Sequence, residues 1–446
     1  MAKQPTVTII GCGYVGLTTA AVLANCGVQV RAIETNPQRL STIQKGHAFF
    51  YELGINELLA NALKQNALVV TDSYEQAVPD SSIVFSCVGT PDNPDGSSNL
   101  EYVHEAAAQA AEYMKPGTIF AQKSTVPVGT GKDLESKLKG IAYVSNPEFL
   151  REGTAISDTL WSDRVVAGSD DPAAAQTVLD LYKTVESCRE NICKLAGIEA
   201  PTQPAQTTYV QTNLNSAELI KVTANAFLAL KISFANSIAK LADHAGADVV
   251  DVMDAVGADH RIGRAFLNAG RGYGGGCFPK DVSGLIRSAE DFGVDMEIMK
   301  AATEVNDSMP HYIIRKAQEA IGGSFKGKYL AVLGLAFKAG TSDARRSPAI
   351  TIANTLAELG ANVHVYDPEA IEEAKEHLVP GIKRFTTIGE AIKDAEAIFI
   401  ATDWPEFKDY DWNSLQNVLI VDCMNCLPKS NALTGKYIGV GLIGYL

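Results

Sequence analysis

Apolar positions along this chain fall into two kinds of run. Short, continuous runs rich in β-branched residues read as buried parallel strands, beginning with TVTII at 6–10. VQVRAI (28–33), ALVV (67–70), SIVFSCV (82–88), TIFAQ (118–122), IAYV (141–144) and RVVAG (164–168) continue the series. Helical spacing fills the gaps, up to about Asn25, over 100–114 and near 171–186. Such alternation predicts an α/β domain, an open and mostly parallel sheet with helices on both faces. RVVAG and the helix near 171–186 are expected to finish it. Residues 188–213, rich in Pro, Thr and Gln, have weak periodicity and read as a surface excursion or loop. The stretch 215–245 reads as one long helix, apolar around most of its circumference, as expected of a helix buried between domains or subunits. Strands return with YLAVLGLAF from 329, then ANVHVYDP, EAIFIATD and NVLIVDCMN, with a helix over 347–359. Three parts follow: 1–212, with 188–212 as an atypical insertion, a helical middle over 213–312, and a second α/β domain over 313–446.

Composition narrows the partners. A formal charge of −14 argues against nucleic acid or an anionic membrane surface, although a glycine-rich loop on an acidic protein still binds phosphate. Apolar runs look too short to cross a bilayer, and the opening MAKQPTVTIIGCGYVG reads as a strand and turn rather than a secretory signal. Eight cysteines in 446 residues are too sparse for a disulfide scaffold. The single CxxC at Cys423 and Cys426 lacks a second pair, so no metal site is expected. These features predict a cytoplasmic protein.

The first chemical motif is Gly11-Cys12-Gly13-Tyr14-Val15-Gly16, with a strand before it, a helix after it and Glu34 closing the next strand. In that context GxGxxG is a Rossmann dinucleotide fingerprint. Gly11 permits the tight turn, Gly13 lets backbone approach a pyrophosphate, and Gly16 lets helix pack on strand. The helix start offers unpaired N–H groups to the phosphates. Glu34 suits a ribose diol and repels a 2′-phosphate, so the expected cofactor is NAD. The second α/β domain lacks this fingerprint. Its Gly334-Leu335-Ala336-Phe337-Lys338 follows a strand, and Lys338 reads either as a cation for a different phosphate-bearing ligand or as a solvated lysine.

The second motif is Gly274-Gly275-Gly276-Cys277-Phe278-Pro279-Lys280-Asp281. Three glycines allow close approach, and Pro279 suits the first turn of a helix over 280–292, which puts Cys277 near a helix start. With Lys280 nearby, that position activates a thiol. An inert cysteine in a glycine turn is the alternative; the dinucleotide motif tips the balance, because a thiolate can hold an aldehyde as a thiohemiacetal that is then oxidised to a thioester. Lys221 and Asn225 share one face of the long helix. A lysine there needs a partner, which Asp281 could provide, or it snorkels. Glu148 follows a strand of the first sheet, where ligands bind, or is an ordinary loop carboxylate.

Together these motifs resemble the UDP-glucose/GDP-mannose dehydrogenase family, along nearly the whole chain. GCGYVG (11–16), STVPVGT (124–130), NPEFLREGTAI (146–156), ELIKVTANAFLALKISFANS (218–237), DHRIGRAF (259–266), GYGGGCFPKD (272–281) and GLAFKAGTSDARRSP (334–348) carry the resemblance. It implies an N-terminal Rossmann domain for NAD, a central long-helix dimerisation region carrying Cys277, and a C-terminal Rossmann-like domain for a UDP-sugar. The implied reaction turns an alcohol into an acid with two NAD and one water. Cys277 is the implied nucleophile, Lys221 and Asp281 stabilise the oxyanion and order water, and Asn225 donates a hydrogen bond. Glu148, with Thr125 holding a water, is the implied base for thioester hydrolysis. On the cofactor side the resemblance adds Tyr14, Val15, Arg39, Thr90, Thr125, Glu152, Lys280 and Arg345. For the nucleotide sugar it implies Glu148, Phe149, Leu150, Arg151, Glu152, Lys221, Asn225, Arg261, residues 268–274 (Asn268, Tyr273 and Gly274 among them), Phe337 and Lys338. Arg261 is expected to reach a neighbouring subunit's site, which implies a homodimer.

Three departures qualify the match. Gly276 stands where the family has serine, 188–213 is longer than the usual connection, and Met424 stands where the family commonly carries an arginine that helps bind the nucleotide. The last leaves GDP-mannose or a UDP-N-acetylhexosamine as alternatives to UDP-glucose, and a non-catalytic nucleotide-sugar sensor as a reading from another class.

Overall fold

The computed structural model describes residues 5–202, 206–415, 417–427 and 437–442. The chain divides into two compact units, residues 1–224 and 225–446. The division falls inside one continuous helix, Leu214–Ala245.

The first unit is built on eight strands: β1 Thr6–Ile10, β2 Gln29–Ile33, β3 Leu68–Thr71, β4 Ile83–Ser86, β5 Ile119–Gln122, β6 Ala142–Ser145, β7 Arg164–Gly168 and β8 Thr208–Thr212. They lie in the order β3-β2-β1-β4-β5-β6-β7-β8. All neighbours are parallel except β6 and β7, which meet antiparallel at Ser145 and Gly168. Alternate side chains feed two helix layers. Val7, Ile9, Val30, Ala32, Phe85 and Ala121 pack to one side, and Ile10, Ile33, Val84 and Phe120 to the other. A sheet buried on both faces is why these strands read as unbroken apolar runs.

The expectation for 188–213 needs correcting. Arg189–Ala196 is a helix, and β8 extends the sheet, pairing parallel with β7 from Arg164 and Thr208 to Gly168 and Thr212. RVVAG and the helix Pro172–Glu186 therefore do not finish the domain. Pattern reading missed β8 because TYVQT is only half-buried at an edge, so its alternation is weak. Residues 203–205, in the same stretch, lie outside the described residues.

The second unit carries a sheet of β9 Tyr329–Leu333, β10 Asn362–Tyr366, β11 Lys383–Arg384, β12 Ala397–Ile400, β13 Leu419–Asp422 and β14 Tyr437–Ile438. Its order is β11-β10-β9-β12-β13-β14, with every pair parallel. In both sheets the strand order reverses beside the first strand, between β1 and β4 and between β9 and β12, where such folds bind ligands.

The long helix corrects a second expectation. An 18-residue window within Leu214–Ala245 has a mean hydropathy of 1.2, so by length and composition it could cross a membrane; 44% of that window is buried within the protein. Among its buried polar residues, Glu218 is bonded at both carboxylate oxygens. Glu218 accepts the N–H groups of Gly129 at 2.7 Å and Gly131 at 2.6 Å. Gly129 caps helix Thr130–Lys137 and has no side chain to satisfy its first N–H groups, so Glu218 does so from the neighbouring helix.

Burial pushes the Glu218 carboxyl up to about 7, against the pull of those two N–H groups. A folded pKa above the unfolded value means the folded state holds the extra proton. The group's stabilising contribution is therefore complete below about pH 4.5 and is lost as pH rises through about 7. Glu218→Gln removes this titration. The difference in Tm between wild type and variant should shift against the wild type from pH 4.5 to 7.5, by at most ~3 kcal/mol of stability; equal differences at both ends contradict this assignment.

Candidate active site

The nucleotide turn of the first unit is set by close approach at its glycines. A Cβ on Gly16 would lie 1.9 Å from the Gly11 carbonyl oxygen, so only glycine lets this helix start against the strand. Gly11, at φ +90°, donates its N–H to Ile33 O at 2.9 Å. Above Gly13 no described residue beyond its chain neighbours lies within 4 Å of where a Cβ would be. Glu34 is buried directly after β2, and one of its oxygens accepts the Asn36 N–H at 2.8 Å. The glycine turn, the open approach and the acid at the second strand fit an adenosine diphosphate. Thr90 is buried just beyond β4, Thr125 is half-buried beyond β5, and Arg39 lies over the Phe49 ring at 4.5 Å. Tyr14, on the first turn of helix Tyr14–Asn25 with Val15, bonds Glu52 and receives the Gly153 N–H. Buried Glu52 also accepts the Ile156 N–H at 3.1 Å, so it ties the nucleotide helix to the loop after β6. Sequence reading missed it.

That loop carries Glu148. Its Oε1 lies 2.9 Å from Lys221 Nζ, and both side chains are nearly sealed from solvent. Oε2 accepts the Leu150 N–H at 2.6 Å. Phe149 has Arg164 over its ring at 3.8 Å and Lys221 at 5.4 Å. Burial pushes the Glu148 carboxyl up, but Lys221, the Leu150 N–H and Lys123 outweigh it and hold it below the usual range. Lys123, buried directly after β5, is a second cation the sequence reading passed over. Glu152 is half-buried, while Arg151 is exposed and forked onto Asp158 at 2.5–3.2 Å.

In the second unit, Cys277 is exposed and occupies the N-cap of helix Phe278–Asp291, with Pro279 in its first turn. A helix start favours thiolate over thiol. Asp281 is buried and accepts from Asn225 Nδ2 at 2.6 Å and Lys280 Nζ at 2.7 Å. The glycines ahead of the thiol lie against the segment after β9. Gly275 donates its N–H to Arg345 O at 3.0 Å, and a Cβ on it would lie 2.9 Å from the Phe337 ring. A Cβ on Gly276 would lie 2.7 Å from Arg345 Nη2, and one on Gly274 2.4 Å from Arg346 O. Asp343 fixes the Arg345 guanidinium at 2.8 and 2.6 Å. Tyr273 is buried and donates its N–H to Asn306 at 2.8 Å. Arg261 and Asn268 are engaged locally, Arg261 on Asp259 and Asn268 accepting from Arg264 at 2.7 Å. Lys338 Nζ sits 5.7 Å from the Phe337 ring centre.

The second sheet repeats the first sheet's turn. Gly334, also at φ +90°, donates to Tyr366 O at 2.8 Å, as Gly11 does to Ile33 O. Asp367 stands after β10 where Glu34 stands after β2. Its carboxylate is consumed by the protein, accepting N–H groups from Leu335 at 2.6 Å, Ala336 at 2.9 Å and Ala370 at 2.7 Å. No ribose can claim it.

A turn built for a dinucleotide and a cysteine presented at a helix start make this a nicotinamide-dependent dehydrogenase by class. The chain matches, in order, the NAD binding domain (5–186), central domain (215–308) and UDP binding domain (331–429) of the UDP-glucose/GDP-mannose dehydrogenase family, and it belongs to that family. Its cofactor is NAD, and it is a nucleotide-sugar dehydrogenase. It is 38% identical to the UDP-glucose 6-dehydrogenase YwqF of Bacillus subtilis, covering 98% of this chain and 97% of that one. A UDP-glucose dehydrogenase from the archaeon Pyrobaculum islandicum superposes with a TM-score of 0.89 at 36% identity, over 99% and 98% of the two chains. A UDP-D-ManNAc dehydrogenase from Pyrococcus horikoshii gives 0.84 at 26%, over 98% and 99%.

Lys221→Met strands a buried carboxylate and should cost ~3–5 kcal/mol at pH 8. The cost should shrink as pH falls and Glu148, now lacking its main cation, takes up a proton. Adding Glu148→Gln should recover much of the lost Tm at pH 8; no recovery in the double variant contradicts the pairing.

Proposed function

We propose that this enzyme oxidises UDP-glucose to UDP-glucuronate in two successive two-electron steps, with the Cys277 sulfur holding C6 between them. The observation that carries the reading is the exposed thiol at a helix start, in a glycine turn of a chain otherwise built for NAD and a UDP-sugar. NAD, when bound, accepts the hydride lost from C6 in each step. In each oxidation the water that Asp281 orders takes the hydroxyl proton to solvent, while Lys221 and Asn225 stabilise the alkoxide, a role suited to a cation and a donor in a dry site. Sulfur adds to the aldehyde to give a thiohemiacetal, whose oxidation leaves a thioester. Asp281 orders water, and Glu148, with Thr125, takes the proton as water attacks. Sulfur leaves as thiolate and the carboxylate is released. Glu148 is ionised beside Lys221, so its carboxylate can accept that proton.

The remaining assignments accompany this reading. Glu34, Arg39, Thr90, Glu152, Lys280 and Arg345 serve the cofactor; residues 148–152, Arg261, 268–274, Phe337 and Lys338 serve the nucleotide sugar. The working division is 1–212 for NAD, 213–312 for the central helices and 313–446 for the nucleotide sugar. Eight cysteines in 446 residues, too sparse for a disulfide scaffold, agree with a cytoplasmic enzyme. A homodimer is supported by Phe227, Phe234 and Leu241, which stand seven residues apart on the long helix and are 58%, 50% and 63% exposed. Met424 keeps GDP-mannose and a UDP-N-acetylhexosamine open, and the likeness to the UDP-D-ManNAc dehydrogenase makes the latter the second substrate to test.

Incubation with NAD and UDP-glucose should yield two NADH per sugar consumed, one for each two-electron step, and Cys277→Ser should abolish that four-electron turnover while NAD still binds. One NADH per sugar, or a kcat/KM favouring an N-acetylhexosamine, rejects the assignment. Replacing Phe227 and Phe234 by Glu should convert the dimer to monomer in sedimentation analysis; an unchanged mass rejects the helix face as the interface.

A further inference from the structure

Arg271 is the largest fully buried side chain in the protein's described residues, with 0% of its surface exposed. It lies inside the 268–274 segment that the resemblance assigns to the nucleotide sugar, with no role of its own there. Its backbone N–H donates to Cys423 O at 2.9 Å, and the adjacent Gly270 lies against Met424, whose sulfur would be 3.6 Å from a Cβ there. The guanidinium enters the place where the second sheet's strand order reverses. Nη2 donates to Ala336 O at 3.1 Å, Phe337 O at 3.0 Å and Thr402 Oγ1 at 3.2 Å. Nε and Nη1 are buried with no hydrogen-bond partner among the described residues.

Burying a guanidinium with two orphaned nitrogens costs stability, so its presence asks for a reason. Burial lowers its pKa to about 10, against the pull of Cys423, Asp403 and Asp367, and it stays protonated at neutral pH. The groups it holds include the Ala336 and Phe337 carbonyls, just before Lys338. Both carbonyl dipoles are drawn inward, so their negative ends face the guanidinium rather than an anion above the loop. A charge in this dry setting is screened far less than one at the surface.

We propose that Arg271 is the positioning residue of the nucleotide-sugar site, supplying from beneath the Ala336–Lys338 loop the positive charge that Met424 cannot. The ligand it serves is a nucleoside diphosphate, so the inference rests on the nucleotide-sugar reading above. Met424 and Arg271 are then one exchange: the cation has moved from the strand β13 end to the loop packed on it.

The test is UDP binding by isothermal titration to the full-length enzyme, with NAD binding and Tm measured alongside. Arg271→Met should weaken UDP about tenfold or more, the loss of one buried charge beneath the loop, with NAD affinity unchanged. Arg271→Lys should fall between. Adding Met424→Arg to Arg271→Met should restore most of the affinity, which a purely structural role for Arg271 would not permit. Unchanged UDP affinity in a folded Arg271→Met, or no recovery with Met424→Arg, overturns the proposal. If Arg271→Met does not fold, Met424→Arg in the wild type decides: the charge being present already, UDP affinity should stay within about twofold, and a gain of about tenfold overturns the idea. A wild type that binds no UDP at all defeats the nucleotide-sugar reading itself.

Discussion

At the end of β1 and again at the end of β9, the backbone turns on a glycine at φ +90° and donates its N–H to the strand beside it. Both turns are so close to neighbouring atoms that a side chain has no room: a Cβ on Gly11 would lie 3.0 Å from Cys87 O, and one on Gly334 2.4 Å from the Thr402 side chain. This crowding fixes the path of the backbone at the two strand ends. It brings a helix start to the strand ends in the first sheet, and in the second it brings a loop down onto β12. The sheets share one plan and differ in what fills the space above the turn.

Charge burial is the second organising cost. Glu148 with Lys221, and Asp281 with Asn225 and Lys280, lie where water is nearly excluded. Such groups are tolerated only when paired and bonded, and a pair of this kind adds little net stability. Their retention reads as chemistry rather than as support for the fold. Glu218 carries a similar cost for the fold: it completes the start of helix Thr130–Lys137, yet its burial outweighs its two N–H partners and leaves it half-protonated near neutrality.

Strands buried on both faces were legible, because two-sided burial writes itself as β-branched runs; so were the glycine turn, the acid closing β2 and the thiol turn. Legibility failed where a residue's role depends on who sits across from it. TYVQT at an edge carries too little apolar alternation to declare β8. The partner of Lys221 in the first unit is Glu148, more than 70 positions away, and no spacing rule links them. Glu52, Lys123 and Arg271 look like ordinary surface charges in the sequence and are buried in the fold. A signal for them exists only in hindsight: each stands close to a strand end or glycine turn, where an ionised side chain has neighbours to answer to.

An enzyme that seats a dinucleotide and a nucleotide sugar together handles two ligands with the same diphosphate core. Two open crevices of one design would invite each ligand into the other's berth. Here the second crevice is stoppered by a guanidinium, and its ribose acid is already spoken for by backbone amides. The second turn therefore has no acid left for a ribose, although it repeats the backbone path of the first. What tells the two turns apart is which groups remain for a ligand once the protein's own bonds are made.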